Sequence, residues 1–207
     1  MKGVTVIEHP LVQHGLARLR DGNTDLGEFR RVVGQLGVLL VYEATHSLPV
    51  KPVTVKTPLA TARGERLRGD VVLVPVLRAG LGMLHAVTEF IPDARVGFIG
   101  LARDEETLEA RRYHCSLAGE LDGSDVLLLD PMLATGGSAV AALEIIRARR
   151  PRSIRMVNLL AAPEGVRRVR RAHPDVPIVV ASIDTRLNGK GYIVPGLGDA
   201  GRRLFGV

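Results

Sequence analysis

The segment "VLLLDPMLATGGSAV", residues 126–140, places a carboxylate, Asp130, at the end of an apolar run. It then supplies backbone with few side chains and two hydroxyls, Thr135 and Ser138, around Gly136 and Gly137. A helix that begins there has unpaired N–H groups and the positive end of its dipole, and glycines let an anion approach them closely. That is a phosphate site. Asp130 would repel a phosphate it faced, but it can accept hydrogen bonds from sugar hydroxyls a few ångströms away. The pairing predicts a ribose 5-phosphate, with Asp130 on the 2- and 3-hydroxyls. Arg78, in "LRAG" (77–80), and Arg103 each follow another apolar run. Their guanidinium forks suit a second anionic group such as a diphosphate.

These residues need a scaffold that brings several strand ends to one edge. Runs at 71–76, 95–101, 126–130, 154–161 and 178–184 read as strands. Helical segments at 81–91, 138–150 and 163–173 alternate with them, which predicts a central parallel sheet covered on both faces. Ligands bind beyond the carboxyl ends of such strands. The first third reads as helical. Residues 24–48 carry Leu26, Phe29, Val33, Leu36 and Leu40 at helical spacing, with Thr24 or Asp25 as cap and Glu28 completing a capping box. Gly27, Gly34 and Gly37 allow close packing, with a partner subunit as one candidate surface. "VTVKT" (53–57) alternates like a strand. Residues 102–121 read as a long polar connection, the form of a lid, and the six glycines of the last 23 residues suggest an ordered loop region. The chain reads as a single domain over 1–207, with a helical part at 1–50 and a distinct tail at 184–207.

Composition narrows the classes. The 207 residues are 46% hydrophobic, enough for a substantial core. No apolar run is long enough to span a bilayer, and "MKGVTVIEHP" lacks a secretory apolar region. One cysteine, Cys115, excludes an internal disulfide and fits a reducing cytoplasm. The net charge of +6 rests on 24 arginines against 4 lysines, which fits either a phosphorylated ligand or a compositional bias. The arginine runs at 147–152 and 167–171 fall late in expected helices and read as solvated faces, so no nucleic-acid partner is expected. No GxxxxGK[ST] is present, and "GLGMLH" (80–85) has His85 in place of the third glycine of a dinucleotide fingerprint. No His spacing suggests a metal cage.

The segment 126–138 resembles the PRPP-binding motif of the type I phosphoribosyltransferases, with Pro131 in place of the usual second acid. "LLVYEAT", "VPVLRAGLGML", "LARDEETLE", "LLAAPEGV", "HPDVPIVVASID" and "GYIVPGLGDAGRRLFG" extend the likeness nearly end to end to the uracil phosphoribosyltransferases. The resemblance implies a type I phosphoribosyltransferase-like α/β fold with a lid and a Gly-rich hood over the base. It implies transfer of a phosphoribosyl group from PRPP to uracil, giving UMP and diphosphate in pyrimidine salvage. Arg78 and Arg103 would contact the diphosphate. Asp130, Pro131, Met132, Leu133, Ala134, Thr135, Gly136, Gly137 and Ser138 would hold the ribose and its 5-phosphate. Ile193, Gly198, Asp199 and Ala200 would bind uracil, largely through backbone, with Asp199 also reaching PRPP. Asp130, Arg103 and Asp199 would be the catalytic set, Asp199 either as base or as loop organiser.

Magnesium is expected through PRPP and water rather than through protein ligands. A homodimer or higher homo-oligomer follows from the same likeness, and GTP is a candidate effector because some members respond to it. The chain departs from the family at "EARRY" (109–113), where a proline-containing segment is usual. A pyrimidine-responsive RNA-binding regulator on the same fold is the alternative. The intact "GYIVPGLGDAG" favours the enzyme.

Overall fold

The computed structural model describes residues 3–103, 110–117 and 121–207. In chain order the elements are β1 (Val4–Val6), α1 (Pro10–Arg20), α2 (Leu26–Thr45), β2 (Val50–Lys56), β3 (Thr61–Leu67), β4 (Val71–Leu77) and α3 (Leu81–Phe90). They continue with β5 (Arg95–Val96), β6 (Phe98–Arg103), β7 (Ala110–Ser116), β8 (Asp125–Leu129), β9 (Met132–Leu133) and α4 (Gly137–Arg147). The last third holds β10 (Ser153–Ala161), α5 (Pro163–Ala172), β11 (Ile178–Ile183), β12 (Arg186–Leu187), β13 (Ile193–Val194) and α6 (Ala200–Phe205).

The main sheet runs in the order β1-β11-β10-β8-β4-β6-β7, with β5 beside β4 and β9 beside β10. Its pairings are parallel except β6 with β7. The continuous apolar runs are explained by burial on two sides. Leu73, Leu127, Leu129 and Val157 join the core beneath α1, α2 and α3. Their neighbours Val72, Val74, Val126, Leu128 and Met156 join the core beneath α4 and α5. Alternate residues of one strand thus fill opposite layers, and each must be apolar.

The expected parallel α/β architecture is what forms, with local corrections. Helix 24–48 is shorter, Leu26–Thr45; Asp25 caps it by accepting from the Glu28 N–H at 2.9 Å. Glu28 does not close the reciprocal box, because its carboxylate pairs with Arg18 and Arg31. Gly34 and Gly37 do allow close packing, but within the chain: a Cβ at Gly34 would lie 3.1 Å from Ala86 and one at Gly37 3.3 Å from Met83, both on α3. The strand expected at 53–57 is one arm of a separate β2–β3 hairpin, and Val4–Val6 adds an edge strand ahead of the helices. The run 95–101 is interrupted at Gly97, whose N–H bonds to the Leu73 carbonyl at 3.0 Å.

The segment expected as a polar connection also differs. β6 extends to Arg103, and Ala110–Ser116 pairs with it antiparallel. Of the lid expected at 102–121, residues 104–109, with Glu105, Glu106 and Glu109, and residues 118–120 lie outside the described residues. Of the arginine run 147–152, only Arg147 is within α4; Arg149 to Arg152 lie beyond its end. Arg170 and Arg171 do occupy the last turn of α5.

Replacing Gly37 by leucine should overfill the α2–α3 contact and lower stability by about 1–3 kcal/mol. An unchanged urea midpoint in that variant would show that the two helices are free to separate.

Candidate active site at the carboxyl edge of the sheet

The loops after β4, β8 and β11 leave the sheet at one edge, and two adjacent cavities lie there. The first, of about 200 Å³, is lined by Arg78, Asp130, Met132, Leu133, Ala134, Thr135, Gly136 and Ser138, with Leu101 and Ala139. The second, of about 300 Å³, is lined by Tyr192, Ile193, Gly198, Asp199, Ala200 and Gly201. Arg78, Ala79, Met132 and Ala134 border both.

The first cavity is built around the start of α4. Gly136 is the N-cap with φ 77°, a left-handed conformation suited to glycine, and no side chain caps the helix. Val140 closes the first bond onto the Gly136 carbonyl, so the N–H groups of Gly137, Ser138 and Ala139 precede the helical ladder. They form an electropositive terminus with hydroxyls from Thr135 and Ser138 beside it. The Arg78 loop is pressed against this assembly at Gly80, where a Cβ would come 2.5 Å from the Leu129 carbonyl oxygen. The Leu77–Arg78 peptide is cis, and the Arg78 side chain is exposed.

Asp130 is half-buried beside this terminus. Burial pushes its carboxyl up to about 7, while the Met132 N–H, donating to Oδ1 at 3.3 Å, pulls the other way. Burial therefore disfavours the charged form, which hydroxyl donors would stabilise. Pro131 is buried and does not line the cavity; its carbonyl accepts from Leu159 and Leu160. Gly137 is also buried, facing Arg168 on α5. Arg103 ends β6 on the same edge, two residues beyond Leu101, and its side chain lies outside the described residues.

The second cavity is roofed by the tail. Asp199 caps α6: Oδ1 accepts from the Arg202 N–H at 2.9 Å, and Oδ2 from the Tyr192 hydroxyl at 3.4 Å. The tail is tied down by a pair that sequence reasoning did not find. Arg20 donates to both oxygens of the buried Asp184, at 2.7 and 2.6 Å, and to the Gly196 carbonyl at 2.9 Å. The Gly196 N–H returns to Asp184 at 2.7 Å. Burial alone would raise the Asp184 carboxyl, but Arg20 and the Gly196 N–H outweigh it and hold it below its ordinary value. Arg203 lies over the Phe29 ring at 4.3 Å and donates to the Leu197 carbonyl at 3.1 Å. Tyr192 was also missed, although it stands inside the Gly-rich "GYIVPG" segment. Asp184 had a signal only as a carboxylate ending an apolar strand; Arg20 had none.

Among the described residues no group of three or more His, Cys, Asp or Glu side chains could hold a metal ion. The donors facing the first cavity are one carboxylate and two hydroxyls. Such a set fits magnesium that arrives on a diphosphate and keeps its waters, rather than one caged by protein.

An electropositive helix start, a strand-end carboxylate and an arginine-bearing loop on a parallel sheet are the arrangement expected of a phosphoribosyltransferase. In fold alone the chain is similar to a hypoxanthine phosphoribosyltransferase from Trypanosoma cruzi (TM-score 0.51, 18% identity, 79% of this chain and 76% of the other). The uracil phosphoribosyltransferase family model matches residues 6–207, and the chain belongs to that family. A uracil phosphoribosyltransferase of a Thermoanaerobacter species is 51% identical over 207 residues, covering 100% of this chain and 99% of the relative. A solved structure of the AQ2163 protein from Aquifex aeolicus superposes with a TM-score of 0.94 at 41% identity, covering 99% of this chain and 98% of that one.

Two outcomes follow from the carboxylates. Asp130 holds its proton more tightly folded than unfolded, so it erodes stability as pH rises from about 3.8 towards 7. Asp130→Asn should therefore unfold at higher temperature than the parent at pH 8, with the gap closing near pH 4; an equal gap at both values would contradict this. Asp184 has the opposite sign, so its contribution is present above its unfolded value and is lost as pH falls through the lower folded one. Asp184→Asn should cost about 3 kcal/mol at pH 7 in urea titration, and progressively less as the acid limit is approached.

Proposed function

We propose that the chain transfers the phosphoribosyl group of PRPP to N1 of uracil, releasing UMP and diphosphate. The carrying observation is that the electropositive helix start and the tail-roofed cavity share a wall formed by Arg78, Ala79, Met132 and Ala134. A sugar phosphate in the first cavity and a flat base in the second would meet across that wall.

The 5-phosphate sits on the N–H groups and hydroxyls of 135–138, far from the reacting carbon, and its binding energy fixes the sugar in line with the base. Asp130 accepts from the ribose diol. The bond between the anomeric carbon and the diphosphate oxygen breaks as the carbon gains oxocarbenium character, uracil N1 bonds to that carbon, and the N1 proton passes to solvent water as the diphosphate leaves with the bonding electron pair. Arg78 and Arg103 offset the charge that grows on the departing diphosphate. Magnesium bound to PRPP supplies further neutralisation of that charge.

Uracil presents acceptor, donor, acceptor along O2, N3 and O4. Backbone groups around Ile193, Gly198 and Ala200 are suited to read this edge, and cytosine would set a donor against a donor. Asp199, engaged with the Arg202 N–H and Tyr192, acts in this reading as the organiser of the loop rather than as a base.

An open apolar groove of about 870 Å³ between α1, α2 and α3, bordered by Leu11, Val38, Leu39 and Leu81, supports a homo-oligomer. GTP as effector rests on family likeness alone. No helix among the described residues is long and apolar enough to cross a membrane, and the unpaired Cys115 suits a reducing cytoplasm.

The test is UMP formation from PRPP with a panel of bases, with and without magnesium. Uracil should be used at least a hundredfold more efficiently than cytosine, hypoxanthine or adenine. Preference for a purine would replace uracil as substrate, and RNA binding without turnover would replace the enzyme with a regulator.

A further inference from the structure

The strand beneath Asp130 carries one fully buried polar residue that apolar packing does not explain. Asn158 lies in "IRMVNLLA" with 0% exposure, between Val157 and Leu159 in the core. Its Nδ2 donates to the Asp130 main-chain carbonyl at 2.6 Å, while Oδ1 is buried with no partner among the described residues. A half-satisfied buried amide is destabilising relative to an apolar side chain of similar size. Where a local rule fails inside a core, function is the first explanation to seek.

The hydrogen-bond ladder supplies the reason. β8 and β10 pair regularly up to Leu129 opposite Val157, and the Asp130 N–H still reaches the Val157 carbonyl at 3.2 Å. A regular parallel ladder would next send the Leu159 N–H to the Asp130 carbonyl. Instead both Leu159 and Leu160 donate to the Pro131 carbonyl, each at 3.0 Å. The ladder slips by one residue at the point where the chain turns into the 130–138 loop, and among the described residues the Asp130 carbonyl has no backbone donor. Asn158 fills that gap.

We propose that Asn158 is a positioning residue for Asp130: its amide bridges the slipped rung and fixes the main chain from which the sugar-binding carboxylate projects. The proposal rests on the reading of Asp130 as the ribose ligand. It implies that Asn158 acts on PRPP, through Asp130, and not on uracil.

The experiment is a double-mutant cycle on the full chain, with PRPP affinity measured by calorimetry in the presence of magnesium and the uracil KM measured by UMP formation. N158L fills the site and N158S empties it, yet both delete the amide donor. Each should weaken PRPP binding roughly ten- to hundredfold, leave the uracil KM within about twofold, and have no further effect in a D130N background. Equal losses with and without Asp130, unchanged PRPP affinity, or a loss in only one of two folded variants would overturn the proposal, since each indicates packing rather than positioning. If only one variant folds, that one decides; if neither folds, the role is structural and the proposal fails. Absence of UMP formation by the parent would instead refute the assigned reaction, while the PRPP cycle would still report on Asn158.

Discussion

The N–H groups at the start of α4 have no partner inside their helix, and the local architecture exists to keep them that way. Gly136 removes the side chain that could cap them, and the left-handed turn aims the chain into the helix. Gly80 lets the Arg78 loop press against the end of β8, so a cation stands beside the same space. Asp130 completes the arrangement by resisting ionisation there. The first cavity thus presents positive potential at one end and a reluctant carboxylate at the other, the two features that the proposed phosphorylated sugar would answer.

The second cavity is organised differently. Its shape comes from tail backbone held in place: Asp199, in the cavity wall, caps α6, while Arg20 and Asp184 clamp Gly196 and Arg203 braces the tail against Phe29. This division of labour suits the proposed specificity for a flat heterocycle. Backbone donors and acceptors are fixed in number and angle, and the Arg20–Asp184 pair that orients them lies outside the cavity lining.

Much of this was legible in the sequence where a feature is local. Strands buried on both faces announce themselves as unbroken apolar runs, and Asp130 through Ser138 lie within nine consecutive positions. Elements at the periphery were harder to read. β3 and β7 expose most of their side chains, and "TARGERL" and "ARRYHCS" therefore look like polar connections. β1 has only three residues, too few for a period. The tail was visible as a Gly-rich segment, but its anchors were not, because Arg20 and Asp184 are 164 positions apart and nothing near either one names the other. Asn158 escaped for a related reason: its task is defined by a slip in pairing between two strands, which no single strand records.

The Arg20 clamp has a consequence for the order of folding. Arg20 reaches Asp184 and Gly196 across 164 and 176 positions, and Arg30 reaches Leu204 across 174. Contacts of such separation carry a loop-closure cost that neighbouring strands do not, so the sheet interior can associate before the tail is fastened. The wall of the second cavity is therefore set late, when α1 and α2 meet the tail, and loosening either fastening would leave the first cavity formed and the second without a fixed shape.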